Sequence, residues 1–446
     1  VGGAASGVYA AMMEVHEAQP AAGLRLRSEG WLRRILGPAL NVKELNVICW
    51  GLFLIGLLLP LCLVAAFQKQ VPDSDFVYFY SMGRILNEYP AERVYDYGLQ
   101  QQVCTDVHPL KDGKYGPIPY PPFVGTLFRP LARLPYPIAY AIWLGICLVL
   151  YLGGIMMTTR RYFPEDPARR SLILCLALSF FSFTFEAFVN GQLSAIGFFA
   201  LALAMREEDR GHPFLSGLAI AACLYKPPLL VLILPMLVVT RRFRALLGFA
   251  VGAAALGLFT LGTEGTRVWA GYGALLLHFG EGATGLHGQS FLRLRKYVDF
   301  TSFSSLVAGG RSWVGMVLIY GYSCWAAVTL IRFWWKSAKA HRSAAALTWM
   351  ATITWTLLLN VYVPRYDSIL VVLSIIGTAG VWKTFRDTTL SRWFTAIWLA
   401  ILASSWITEE VAMASGVQVL TLLIAALGMV QFSMLRTAMT VRRMSL

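Results

Sequence analysis

The sequence predicts an all-α, polytopic membrane protein, and three observations carry that prediction. Hydrophobic residues make up 57% of the 446 positions and charged ones only 14%, against about 45–50% and about a quarter in an average soluble chain. The apolar residues collect in runs long enough to cross a hydrocarbon core of about 30 Å. The lysines and arginines behind the net charge of +14 fall between those runs in alternating density. That positive charge is therefore a topology signal, not a nucleic-acid patch. Of the scattered cysteines only Cys104 falls in a polar stretch, so neither a disulfide framework nor a metal-ligand spacing is expected.

Residues 1–45 are expected to form a cytoplasmic tail, flexible over 1–24 and lacking the apolar core of a cleavable signal. Within it, Trp31-Leu32-Arg33-Arg34-Ile35-Leu36 suits a short amphipathic helix on the membrane surface. Arg25, Arg27, Arg33, Arg34 and Lys43 precede a first span over 46–67 and place this end inside. Residues 68–137, polar and aromatic, then form a long first extracytoplasmic loop, and a span over 138–158 returns the chain to Arg160, Arg161, Arg169 and Arg170. The run 171–205 is too long for one span and is interrupted at Asn190-Gly191-Gln192, so two short helices meeting at the outer face are expected.

The run 213–240 is harder. As one helix its 28 residues would measure about 42 Å, and Lys226-Pro227-Pro228 stands in its middle. A lysine at the bilayer centre costs about 2.5–3.5 kcal/mol, and the prolines break a helix. Two short helices meeting near the outer surface avoid both costs if the break lines a protein-walled cavity. Later spans over 245–261, 313–331, 344–360, 368–382, 393–407 and 412–434 then alternate, for about 10–12 in all, within an integral-membrane domain over 46–436 and before a cytoplasmic tail over 437–446. With this threading the inside segments hold 24 of the 38 Lys and Arg residues, although the outside segments are longer. A single span over 213–240 would weaken that bias.

One face thus collects Asp75, Asn190-Gly191-Gln192, Lys226-Pro227-Pro228, the 262–311 loop and Pro364-Arg365-Tyr366-Asp367. Polar groups that interrupt apolar runs are costly singly and point to a shared cavity when they gather. Asp75, with Asp73 beside it, is the candidate base: it opens an aromatic segment, Phe76, Phe79, Tyr80 and Gly83, at helical spacing. The competing reading is that Asp75 only caps that helix. Tyr95-Asp96 and Tyr120-Pro121-Pro122-Phe123 shape the same loop, the prolines by fixing backbone angles. Glu186, Asn190 and Gln192 could orient a sugar or simply cap helix ends. Lys226, Arg365, Arg293, Arg295 and Lys296 are cations on the face that disfavours them, which suits an anionic ligand such as a lipid phosphate, or pairing with Asp299 and Asp367. His287 is a lone loop histidine, more readily structural than catalytic. No glycine-rich phosphate loop, nucleotide-sugar domain or ATP motif is present.

Taken in order, Asp75-Phe76, Tyr95-Asp96, Tyr120-Pro121-Pro122, Asn190-Gly191-Gln192, Lys226-Pro227 with Arg241-Arg242-Phe243-Arg244, and Tyr366-Asp367 resemble the succession in glycosyltransferase family 87. The resemblance covers roughly 72–370 and implies a GT-C fold similar to the polyprenyl-phosphate-mannose-dependent mannosyltransferases. It implies an inverting enzyme facing the periplasm from the inner (plasma) membrane. The donor would be a polyprenyl-monophosphate hexose, mannose in the members it looks like, and the acceptor a lipid-linked sugar or glycan, with no cofactor and no obligate metal. Asp75 matches the family's base position. Some members carry a histidine before a late span where this chain has Arg365, so a phosphate role for Arg365 is the expectation there. Arg365, Lys226, Arg293, Arg295 and Lys296 would then hold the donor phosphate. Asp73, Glu186, Asn190, Gln192, Tyr120, Tyr366, Asp367 and His287 would contact sugar or acceptor. Beyond membrane lipids and these substrates no partner is implied, and no nucleic acid. The alternatives are a flippase for a lipid-linked saccharide, whose broken helices it would share, an oligosaccharide ligase or protein O-mannosyltransferase, and an inert membrane scaffold.

Overall fold

In the computed structural model the described residues are 42–67, 74–110, 115–285, 293–308, 313–338, 342–383 and 388–444. They are almost wholly helical, with one isolated antiparallel bridge, Tyr297 to Pro364. The surface stretch at 31–36 and the candidates Asp73 and His287 lie outside the described residues.

Six helices among the described residues are long and apolar enough to cross a membrane: Lys43–Leu63, Tyr136–Tyr162, Phe243–Glu264, Trp313–Ser337, Arg365–Trp382 and Val419–Thr440. Two bent pairs raise this to eight if each is one span: Pro167–Leu178 with Ser182–Val189, bent by 58°, and Thr389–Ser404 with Thr408–Ser415, bent by 79°. The count of ten to twelve expected from the sequence included short and broken helices. Several apolar runs are spent on short helices, Pro213–Tyr225, Pro227–Val239 and Ser343–Leu358, that end where the chain breaks. Large apolar side chains such as Leu52, Ile55, Val149 and Leu318 stand exposed on the long helices, as lipid-facing positions do. This is the architecture of a multi-pass membrane protein.

Local chemistry explains the breaks. In the first helix proline at position 60 has no N–H to give, and the five residues Leu54–Leu58 widen into a π turn just before it. The 213–240 run divides at Lys226, which has φ −141° between two 3-10 turns, Ala222–Tyr225 and Pro227–Leu230. The 171–205 run turns at Gly191, where φ is +64° and an added Cβ would lie 2.8 Å from that of Phe76. It also bends earlier, after Leu178. Pro213–Ala221 and Phe243–Glu264 pack at backbone contact, since a Cβ on Gly217 or Gly248 would meet the facing carbonyl of Ala245 or Phe214 within 2.0 Å. Small residues give membrane helices this closeness.

One boundary needs correction. The last span does not start at 412: Thr408–Ser415 is a separate short helix, closed by Gly416 at φ 71°, and Val419–Met444 begins afterwards. A left-handed glycine ends a helix and lets the chain turn back. Two acids, Glu409 and Glu410, occupy the first turn of that short helix.

The segments expected inside and those expected outside separate to opposite ends of the bundle. Arg161 meets Asp209, Arg242 meets Glu208, and Lys383 donates to the Tyr162 carbonyl at one end. Asp75, Gln192, Lys226, Asp367 and Arg365 gather at the other.

Candidate functional site

The Phe76–Glu88 helix positions Asp75. Its aromatic face is buried, with Phe76 and Phe79 wholly so, against Phe128, Tyr136, Tyr140 and Tyr120. The Phe76 N–H donates 3.1 Å to the Asn190 carbonyl, which ties the helix start to the 190–192 turn. That turn is held from behind by Trp143 Nε1, donating 2.7 Å to the Gly191 carbonyl, and by the Tyr140 hydroxyl on the Val189 carbonyl at 2.5 Å.

Asp75 occupies the N-cap position of its helix but its side chain makes no capping bond. Its Oδ2 instead accepts 2.5 Å from Nε2 of Gln192. Two other aspartates show the ordinary behaviour: Asp96 accepts from the Leu99 N–H and Asp166 from the Arg169 N–H. Asp75 retains some accessible surface while dense protein surrounds it. Burial pushes its carboxyl above the ordinary aspartate range; the Gln192 hydrogen bond and the charges of Lys296 and Lys226 work against that rise, and Glu186 adds to it. Gln192 is itself buried, and its Oε1 has no hydrogen-bond partner.

Around this acid the expected residues assemble. Lys226, at the break in 213–240, pairs with Asp367 and lies 4.6 Å from the Tyr366 ring centroid. Asp367 accepts a second bond, 2.7 Å, from the Ser194 hydroxyl. Tyr120, against Phe79, has its phenol pushed up by burial and by the nearby Asp367 and Asp75 carboxylates. Arg365 is 3% exposed and meets Glu186 at 2.5 Å and Glu409 at 2.6 Å. Arg295 also meets Glu409, at 3.1 Å. Lys296 is half-buried and makes no ion pair among the described residues, whereas Arg293 is exposed. Of the two acids in the alternative reading of these cations, Asp367 does pair with one, Lys226, whereas buried Asp299 caps Phe300–Ala308 through the Ser302 N–H and holds the Val363 N–H.

Some motif residues turn out to be scaffolding. Tyr95 donates 2.7 Å to the Tyr120 carbonyl, and Asp96 caps Tyr97–Val107. Asn190 contributes its backbone carbonyl. Glu409 is the residue that the sequence reading passed over. Its signal was two adjacent acids, Glu409 and Glu410, set between apolar runs on the predicted outer side.

A bundle of membrane-length apolar helices with an acid and several cations gathered at one end defines a class, the multi-pass membrane proteins with a polar cluster between broken helices. The glycosyltransferase family 87 model matches residues 119–360, more than half of the chain. The protein belongs to that family. Comparison with curated proteins and with solved structures gave no match. The matched region holds Tyr120, Glu186, Gln192 and Lys226; Asp75, Arg365, Asp367 and Glu409 lie beyond its ends.

Proposed function

We propose that the protein is an inverting hexosyltransferase of the GT-C kind, moving a hexose, mannose in the first instance, from a polyprenyl-monophosphate donor to a lipid-linked or glycan acceptor on the extracytoplasmic face of the plasma membrane. The observation that carries this reading is the state of Asp75. It opens a helix yet leaves the cap unmade, and it is presented on a glutamine amide beside cations instead of being neutralised by one.

The chemistry balances on these groups. The acceptor hydroxyl attacks C1 of the sugar, its proton passes to the Asp75 carboxylate, and the new C1–O bond forms as the bond to phosphate breaks. The electron pair leaves on the lipid phosphate, which needs cations and no proton. A single displacement of this kind inverts the anomeric centre. A base acts best with a pKa near the working pH, and burial moves Asp75 in that direction. Glu186, Gln192, Tyr120, Tyr366 and Asp367 offer hydrogen bonds around the sugar, and Lys226, Arg365, Arg295, Lys296 and Arg293 form the cationic side. Asp73 and His287 remain in the proposal as candidates for acceptor contact.

The test is reconstitution of the full chain with radiolabelled polyprenyl-phosphate mannose and a mixed lipid-glycan acceptor pool. Formation of a new glycoside by the wild type and its loss in Asp75→Asn is the expected result. Lipid translocation with no glycoside would assign the protein to transport instead.

A further inference from the structure

Resting on the transferase reading above, we propose that Lys296 is the cation that meets the departing lipid phosphate, and that the Thr408–Ser415 helix positions it through Glu409. The charge balance of the site singles it out. Lys226 is matched by Asp367, and Arg295 and Arg365 are matched by Glu186 and Glu409, two against two. A phosphate taken up by Arg365 or Lys226 would have to displace a carboxylate and leave it buried without a counter-charge. One taken up by Lys296 displaces nothing. With Asp299 taken up by the Ser302 and Val363 N–H groups and Arg293 exposed, the groups that the matched pairs leave over inside the site are the Asp75 carboxyl and the half-buried ammonium of Lys296, whose charge reaches both Asp75 and Glu409. Those are the two groups that the reaction requires.

The backbone around Lys296 is fastened on both sides. Ahead of it, Arg295 gives its Nε to Glu409 at 3.1 Å, and its carbonyl accepts 2.5 Å from Gln418 Nε2. Behind it, Tyr297 bridges to Pro364, and the Val298 N–H donates 2.9 Å to the Val363 carbonyl. Lys296 is the free side chain between two clamped neighbours. Glu409 is a positioning residue: it holds Arg295 and Arg365 together and so sets the Leu294–Lys296 turn against the start of the Arg365–Trp382 helix. The Thr408–Ser415 helix, like Asp75 and Arg365, lies beyond the ends of the family match.

The experiment measures binding of polyprenyl monophosphate, with uncharged polyprenol as control, to the full chain in phosphatidylcholine nanodiscs. Lys296→Gln is expected to weaken phosphate binding by roughly tenfold or more and to leave polyprenol binding unchanged, while Lys296→Arg stays within roughly threefold of wild type. Glu409→Gln weakens phosphate binding less, and adds nothing when combined with Lys296→Gln. Wild-type phosphate affinity in Lys296→Gln, or an equal loss for polyprenol, overturns the assignment. Additive losses in the double variant overturn the positioning role of Glu409. If the phosphate binds through Lys296 and no sugar moves, the transferase reading fails, and Lys296 keeps its phosphate-binding role but not that of meeting a leaving group.

Discussion

The two ends of the bundle carry similar residues in different states. At one end Arg161, Arg242 and Arg210 meet Asp209, Glu208 and Glu207, Trp349 Nε1 donates 2.7 Å to Glu208, and a cavity of about 280 Å³ opens among them. Each of these three acids has a cation, and most partners come from two short loops, around 206–212 and 241–244. At the other end the partners are separated by 117, 141 and 179 positions in the chain, and one acid faces an amide instead of a cation. On the proposed function the chemistry belongs to this second end, because matched charges hold segments in place whereas an acid kept from neutralisation has a proton affinity to use.

Removing Asp75 sharpens this contrast most. Asp75→Asn should lower sugar transfer by about 10²–10⁴-fold, with thermal stability equal to or above wild type. The sign follows from burial. The folded state raises the Asp75 pKa above the unfolded value and therefore holds the proton more tightly, so stability falls as pH rises through that window. Asparagine removes the penalty. A folded, fully active Asp75→Asn would break the comparison.

Cutting one cation at each end comes next. Arg365→Ala strands Glu186 and leaves Glu409 with Arg295 alone, and breaking such a buried pair costs about 3–5 kcal/mol, readable as a lower melting temperature. Arg242→Ala leaves Glu208 still bonded to Trp349, and both partners of the lost pair keep some exposure, 15% and 23%. Its loss should be on the order of 1–2 kcal/mol, with turnover per folded molecule unchanged. If Arg242→Ala slowed transfer as Asp75→Asn does, the two ends would not differ in kind.

The smallest expected effect is a shift in pH. Transfer requires ionised Asp75, so activity falls as pH drops through its raised pKa, above the ordinary aspartate range. The Gln192 amide favours the anion. Gln192→Leu should therefore move the acid limb of the pH–rate profile to higher pH, and an unmoved or lowered limb would show that the amide does not tune the base.

Much of this was legible in the chain. Alternating apolar runs and basic loops gave the bundle its threading, and Lys226-Pro227-Pro228 and Asn190-Gly191-Gln192 announced breaks because a charge, prolines and glycine cannot continue a helix in hydrocarbon. The sequence could not separate cap from base at Asp75, since both roles put an acid before an aromatic helix. In the structure the side chain makes no capping bond and meets Gln192 instead. Nor could it say which cations were spoken for, or that Glu409 stands between Arg295 and Arg365. Hydrophobic runs and helix breaks are local, written within a few turns of chain. The pairing of charges is decided by which breaks meet in space, and that depends on helix packing across the whole molecule.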